Sequence, residues 1–134
     1  MPGQLLPRSL ADELTTDLAG RAAAPVSVIA PFTGEELYAL PQASVAEVQD
    51  AARRAREAQR AWWAAGTAHR RAVLLRAHDL FLERREVLLD AVQSETGKTR
   101  GQAFEEVFNS AAATRYAALS ARRVLRTESR RAGI

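Results

Sequence analysis

The spacing of apolar residues changes along the chain: extended runs precede residue 44, and helical spacing follows it. Residues 25–30 and 36–40 are rich in β-branched, aliphatic and aromatic side chains, which is typical of strands. Between them, Pro31-Phe-Thr-Gly-Glu35 predicts a turn, because proline fixes φ and Gly34 can adopt a positive φ. The two runs therefore predict a β-hairpin, which needs a partner surface because two strands alone are marginally stable.

A short amphipathic stretch precedes the hairpin. Residues 9–19 predict a helix that Ser9 caps, with Asp12 reaching back towards the first turn. Gly20 is the expected stop signal. We therefore separate residues 1–24, a helix and a connector, from the hairpin and the helices that follow.

Helical periodicity begins with a capping box at Ser44-x-x-Glu47. Gly66 and Gly97 interrupt the pattern, and Thr67 is placed to cap the helix after the first break. The pattern predicts helical segments at 45–65, 68–94 and 100–121, each with a wide apolar stripe. The stripe of the first comprises Val45, Val48, Ala52, Ala55 and Trp62. The residues expected to point inward from the last are Phe104, Val107, Phe108, Ala111, Ala118 and Leu119.

The composition excludes several classes of chemistry. The 134 residues include no Cys, which rules out a thiol nucleophile, a disulfide framework and Cys-ligated zinc or iron–sulfur sites. The length suits one domain, and the 47% apolar share is ordinary for a globular chain. No apolar run approaches the ~18 residues that cross a bilayer, and the N-terminus lacks a secretory h-region. We therefore expect a cytoplasmic protein with no membrane partner.

Basic side chains are concentrated at one end of the sequence. Of the 19 basic residues, 18 are Arg, and five of these lie in residues 122–134 beside one acid, so that this tail carries +4. Residues 1–121 then hold 14 basic and 15 acidic side chains and are nearly neutral. A nucleic-acid module would spread its basic face over the fold and interleave aromatic residues, so we expect no nucleic-acid partner.

Two local patterns resemble known sites without completing them. Thr96-Gly-Lys-Thr99 matches the end of a phosphate-binding loop, but that motif also needs a preceding strand and a glycine at position 92, which is Val. His69 and His78 are nine residues apart, whereas two helical imidazoles that share a metal are about four apart. We expect a helix end at Gly97 and two surface or helix-end histidines.

Two adjacent pairs of side chains are also candidates for chemistry. Trp62 and Trp63 point to different sides of a helix, so we expect Trp62 in the core and Trp63 at an interface or half-buried. A platform for an aromatic substrate is the alternative. Glu105 and Glu106 diverge by about 100° on a helix, so we do not expect them to share a proton.

The order of several motifs resembles the N-terminal part of the aldehyde dehydrogenases. Val28-Ile-Ala-Pro-Phe-Thr-Gly-Glu35 is similar to the strand–turn–strand that opens that family, with Ala in place of its usual Asn. Pro41-Gln-Ala-Ser44 and the helix that ends near Trp62 resemble its next segment, and Ser94-Glu-Thr-Gly-Lys98 resembles its E-T/S-G-K signature. The resemblance covers about residues 25–121. Within the family, this hairpin is most similar to that of actinobacterial succinate-semialdehyde dehydrogenases.

The resemblance implies an α/β fold with a doubly wound cofactor domain, to which residues 25–121 contribute helices and one hairpin. It implies an NAD(P)-dependent oxidoreductase that converts an aldehyde, with succinate semialdehyde as a candidate, to the acid. The complete enzyme would use NAD or NADP and form a homo-oligomer. Its Cys nucleophile, general-base Glu and cofactor motif have no counterpart here. We therefore expect an N-terminal segment that alone binds no cofactor and is inactive, with the rest of the enzyme as its partner.

A few site residues are implied by the same resemblance, none of them catalytic or cofactor-binding. Asn109, with Glu105 one turn earlier, would border the aldehyde access tunnel, and plain helix surface is the alternative. Glu95 would be the acid of a monovalent-cation site with backbone carbonyls near Val28 and Ile29, and a simple helix-end acid is the alternative. Residues 122–134 would lead to the family's oligomerisation hairpin. Without the resemblance, the sequence describes a non-enzymatic helical interaction module, which is the alternative function.

Overall fold

A computed structural model describes residues 6–16 and 23–129 of the chain. In chain order, these residues form α1 (Arg8–Thr15), β1 (Ala23–Ile29), β2 (Glu36–Gln42), α2 (Val45–Ala64), α3 (Gly66–Glu83), α4 (Arg85–Thr96) and α5 (Arg100–Val124). Well over half of the described residues are helical, and the sheet among them has two antiparallel strands. The prediction of a mostly helical segment with one N-terminal hairpin is confirmed.

The predicted turn joins β1 to β2. Gly34 has a φ of 74°, and its amide donates to the Ala30 carbonyl at 2.9 Å. Pro25 lies at a shift in the strand register, where a residue without an amide proton is tolerated. Further along the ladder, Val28 lies opposite Tyr38.

Helix α1 begins one residue earlier than the sequence predicted. Its N-cap is Pro7 and no side chain caps it, so the prediction that Ser9 is the cap is wrong: Ser9 lies inside the first turn. The predicted stop at Gly20 lies outside the described residues. Helix α1 packs on β2, and Ala11 and Leu37 are buried there.

Helix α2 begins at the predicted capping box but buries none of its residues. The Glu47 amide donates to Ser44 Oγ at 3.2 Å, and the Ser44 amide donates to Glu47 Oε2 at 2.7 Å. Val45 is 75% exposed and Trp62 is 41% exposed. The prediction that Trp62 lies in the core is therefore wrong for the described chain, because α2 meets the other elements mainly where it joins α3.

The predicted helix at 68–94 is two helices. Arg84, with φ −99° and ψ 16°, separates α3 from α4. Helix α3 begins at Gly66 after Ala65, and no side chain caps it, so Thr67 is not the cap that the sequence predicted. Neither proline nor glycine lies beside Arg84, and the apolar spacing continues across this position. The sequence therefore predicted one helix where the structure has two.

Helix α5 packs against α3 and α4, and these contacts hold much of the buried core. Leu89 of α4 clusters with Ala103 and Val107 of α5. Phe104, Phe108 and Leu119, which the periodicity placed inward, are 50%, 54% and 46% exposed. The apolar surface of α5 is therefore wider than the arc that packs on its neighbours.

The exposed surface of the chain is large for its mass. The accessible area is 10590 Å², whereas a compact monomer of 14.6 kDa exposes about 6,900 Å². The chain therefore exposes more surface than a compact monomer of the same mass. Within the described ranges, no helix is long and apolar enough to span a membrane.

Candidate functional site

The loop between α4 and α5 meets the turn of the hairpin. Gly97 ends α4 in the left-handed conformation, with φ 70°, and its amide donates to the Gln93 carbonyl at 2.9 Å. A Cβ atom at Gly97 would lie 3.1 Å from Pro31 Cγ. The predicted helix end at Gly97 is confirmed, and the close approach of Pro31 is a second reason why glycine suits this position.

Glu95, the acid predicted for a cation site, lies in the last turn of α4 and accepts a hydrogen bond from the Tyr38 hydroxyl. Tyr38 lies opposite Val28 in the hairpin, so Glu95 reaches the strand pair that carries Val28 and Ile29. Burial, and then the bond to Glu95, raise the pKa of the Tyr38 hydroxyl above its ordinary range, so it remains a donor. Sequence reasoning missed Tyr38, because the two partners are 57 residues apart and no local pattern connects them.

The segment that resembles a phosphate loop closes a helix instead. The Gly97 amide is used by the Gln93 carbonyl, and the Lys98 ammonium pairs with Glu106 of α5. Thr96 Oγ1 donates back to the Val92 carbonyl at 2.5 Å. A nucleotide phosphate needs free amides and a free cation at this point, so these residues do not fit the phosphates of a dinucleotide cofactor.

Helix α5 begins with a second capping box, which the sequence analysis overlooked although its Thr-x-x-Gln signal is local. The Gln102 amide donates to Thr99 Oγ1 at 3.4 Å, and the Thr99 amide donates to Gln102 Oε1 at 3.1 Å. Arg100 then binds Glu86 and Asp90 of α4. The start of α5 is thus fixed to α4 by charged side chains.

Glu105 and Asn109 lie one turn apart on α5, and both are exposed. Their side of the helix differs from the one that carries Ala103 and Val107 into the core. The structure therefore brings this pair to one face, as the spacing predicted, and places Glu95 separately at the hairpin junction. Among the described residues, no group of three or more His, Cys, Asp or Glu could hold a metal ion.

The two tryptophans belong to the corner between α2 and α3. The Trp62 ring meets His69 edge-on, with centroids 5.8 Å apart, and the Arg70 guanidinium lies 5.0 Å from the Trp63 ring centroid. Arg70 also donates to the carbonyls of both tryptophans at 3.2 and 3.1 Å. These contacts close the C-terminal end of α2.

A groove of about 540 Å³ runs between α3 and α5. Its apolar wall includes Phe108 and Leu119, and its rim carries Arg115 and Arg123. His78 is half-buried in this groove, and its Nδ1 lies 3.1 Å from the Ala111 carbonyl oxygen. His69 is exposed, as expected of a surface or helix-end histidine, and His78 is partly exposed within the groove.

Comparison with known proteins gives this arrangement a context. The model of the aldehyde dehydrogenase family matches residues 19–132. A protein of Mycolicibacterium smegmatis named as a succinate-semialdehyde dehydrogenase (NADP(+)) is 38% identical over 109 residues, which are 81% of this chain and 21% of the relative. A protein of Mycobacterium ulcerans with the same kind of name is 42% identical over 91 residues, 67% of this chain and 18% of the relative.

A solved structure agrees with these sequence matches. The crystal structure of an NAD-dependent benzaldehyde dehydrogenase from Corynebacterium glutamicum superimposes with a TM-score of 0.74 and 31% identity, covering 78% of this chain and 22% of that one. The chain thus spans about a fifth of the length of the relatives that it matches. The family match covers the hairpin, the α4–α5 junction and the four long helices. The chain belongs to the aldehyde dehydrogenase family.

Proposed function

We propose that this chain is the N-terminal segment of an NAD(P)-dependent aldehyde dehydrogenase that oxidises succinate semialdehyde to the acid. The observation that carries the proposal is the family match over residues 19–132. The substrate follows the names of the mycobacterial relatives, which are 38% and 42% identical, rather than that of the 31% identical benzaldehyde enzyme. Benzaldehyde is therefore the second substrate to test.

The chain alone is expected to be inactive. Oxidation of an aldehyde through a thioester needs a thiol nucleophile, and the sequence contains no Cys. A bound nicotinamide supplies the hydride acceptor, and the phosphate-loop-like segment before α5 does not fit its phosphates. The contribution of this chain is then structural: it shapes the path to the reacting centre and supports the domain that binds the cofactor.

Three residues of the chain are proposed to act in the complete enzyme. Asn109 and Glu105 would border the path by which the aldehyde enters, which their shared exposed face on α5 permits. Glu95 would hold a monovalent cation with carbonyls near Val28 and Ile29. The bond between Glu95 and Tyr38, the residue opposite Val28, supports this assignment. We also assign the complete enzyme to the cytoplasm as a homo-oligomer.

A chimera tests the proposal directly. Residues 19–132 replace the matched segment of the Mycolicibacterium smegmatis relative, and NAD+ and NADP+ reduction is measured with succinate semialdehyde and with benzaldehyde. We expect the chimera to oxidise succinate semialdehyde and the isolated chain to oxidise neither aldehyde. The unmodified relative is the control for the assay. A folded chimera that oxidises neither aldehyde would refute the proposal.

A further inference from the structure

We propose that His78 is a positioning residue for the aldehyde entry path. Its hydrogen bond to the Ala111 carbonyl fixes the rotation of α5 on α3, and this rotation determines where Asn109 lies on the path. The inference rests on the proposed function, which assigns Asn109 to that path. His78 lies on α3 and acts through α5, without touching the aldehyde itself.

Apolar packing alone gives α5 little directional hold on α3. The contact between these two helices is the most extensive between helices of the described chain. No residue of α3 is fully buried, however, and beyond Val107 the buried residues of α5 are Ala111 and Ala118. Contacts between small apolar groups are non-directional, so they do not by themselves fix the rotation of one helix about its axis.

His78 supplies the directional contact between the two helices. Its Nδ1 lies 3.1 Å from the Ala111 carbonyl oxygen, and because a carbonyl only accepts, Nδ1 carries the proton and donates. Ala111 lies inside α5, where helical geometry already gives its carbonyl an amide donor. The bond therefore joins α5 to α3 rather than satisfying α5. Among the described residues, no ion pair and no other side-chain hydrogen bond connects these two helices.

A change in the rotation of α5 would move Asn109, because Asn109 and Ala111 belong to one continuous helix. Side-chain atoms lie about 5 Å from a helix axis, so a rotation of about 20°, which is the ordinary scatter of helix packing angles, shifts them by roughly 2 Å. A displacement of about 1 Å can already slow an enzyme about a hundredfold. The hydrogen bond of His78 is therefore large enough in its geometric effect to govern how an aldehyde passes Asn109.

Steady-state kinetics of the chimera test the link between His78 and the path. His78→Leu removes the donor, whereas His78→Asn keeps an N–H donor close to the position of Nδ1. We expect His78→Leu to raise the KM for succinate semialdehyde roughly tenfold with kcat nearly unchanged, and His78→Asn to behave like the parent chimera. His69→Leu is the matched control: His69 contacts Trp62 at the corner of α2 and α3, so its loss should leave KM unchanged.

A double-mutant cycle tests whether His78 acts through Asn109. In the Asn109→Ala chimera, His78→Leu should change KM by less than about twofold, because the effects of residues that act as a unit are not additive. An equal effect of His78→Leu in the two backgrounds would overturn the link between His78 and the path, even though the chimera is active.

A distance measurement tests the positioning of α5 without any activity. The chain has no Cys, so Arg71→Cys and Asn109→Cys place one nitroxide on the exposed side of α3 and one on α5. Pulsed electron paramagnetic resonance of the labelled isolated chain, diluted in an excess of unlabelled chain, gives the distance between the two nitroxides. We expect His78→Leu to shift or broaden this distance and His78→Asn to preserve it.

The two measurements separate failure of the inference from failure of the proposed function. An unchanged nitroxide distance in His78→Leu would overturn the inference, whether or not the chimera is active. A changed distance together with a folded but inactive chimera would instead refute the proposed function and leave the positioning of α5 by His78 standing.

Discussion

At the scale of single residues, two contacts attach the hairpin to the C-terminal end of α4. Gly97 allows Pro31 to approach the end of α4, and Tyr38 donates to Glu95, two residues before Gly97. The first contact depends on a missing side chain and the second on a protonated hydroxyl. Each of these two contacts can therefore be disrupted by a single substitution that changes few other atoms.

Gly97→Ala should destabilise the chain by about 1–2 kcal/mol. The methyl group would force a left-handed φ on an ordinary residue and would lie 3.1 Å from Pro31 Cγ. The midpoint of urea unfolding, followed by far-ultraviolet circular dichroism, measures the effect. Gly101→Ala is the matched control: nothing lies within 4 Å of its added Cβ inside α5, so it should stabilise the chain by about 0.5–1 kcal/mol. Equal midpoints for the two variants would contradict the account of Gly97.

Tyr38→Phe should make the stability of the folded chain less sensitive to high pH. The unfolded chain releases the phenolic proton near pH 10, whereas burial and Glu95 raise the pKa of Tyr38 in the folded chain. The folded state therefore keeps the phenolic proton to a higher pH than the unfolded state does. The stabilisation that results is complete below pH 10 and is lost as the pH rises further. Urea midpoints measured across that range should fall less steeply for Tyr38→Phe. Tyr116→Phe retains the Glu95 contact and should follow the parent chain.

At the scale of elements, the long helices differ in how they begin. Capping boxes start α2 and α5, whereas α3 and α4 begin without a side-chain cap. Helix α2 buries no residue, so its capping box and its surface ion pairs must contribute more of its stability than they would in a packed helix. Exposed pairs such as Arg53–Glu57 contribute only a few tenths of a kcal/mol each.

Ser44→Ala should therefore unwind the start of α2. Loss of the bond from the Glu47 amide to Ser44 Oγ costs about 1 kcal/mol, and α2 has no buried residue that would offset this cost. Helix content from circular dichroism should fall, and amide hydrogen exchange should speed up in the first two turns. Ser110→Ala removes a hydroxyl that bonds to the Glu106 carbonyl inside α5, and it should leave helix content unchanged. Unchanged exchange in Ser44→Ala would show that the cap is dispensable.

Several element ends that depend on local chemistry were predictable from the sequence, although Ser9 and Thr67 were wrongly predicted as caps. The turn at Pro31 and Gly34, the box at Ser44 and the stop at Gly97 all involve neighbours within a few residues. The break at Arg84 carries no such signal, because both flanking helices share helix-forming residues and apolar spacing. The exposure of Trp62 was not predictable either, because periodicity identifies an apolar face without saying what covers it.

In the candidate site, too, some contacts follow from local spacing and others do not. The pairing of Glu105 with Asn109 on one face follows from a spacing of four residues. The contact between Glu95 and Tyr38 joins distant parts of the sequence and required the fold. The role of each of these residues comes from the family resemblance, since neither spacing nor exposure distinguishes a tunnel or cation ligand from ordinary surface.

At the scale of the whole molecule, the exposed apolar faces of α2 and α5 dominate the behaviour of the isolated chain. Valines on α2 and phenylalanines on α5 are half exposed or more. A typical monomer exposes apolar patches of only a few hundred Å². The chain therefore exposes more apolar surface than a typical monomeric domain does.

The isolated chain should bind a hydrophobic dye, self-associate or melt without a sharp transition. Dye fluorescence, light scattering and calorimetry measure these properties, with the active chimera as the control that should show none of them. A monodisperse monomer with a cooperative melt would contradict this expectation. That result would favour the free-standing helical interaction module over an enzyme segment.

The contact between Tyr38 and Glu95 also leads to an expectation about folding kinetics. Its partners are 57 residues apart, so closing the loop costs chain entropy that neither the hairpin nor a single helix must supply. We therefore expect the hairpin and the helices to form first and the junction to form after the folding barrier. Substitutions at Tyr38 or Gly97 should then leave the folding rate nearly constant and accelerate unfolding. On this expectation, the junction affects the unfolding rate of the chain rather than its folding rate.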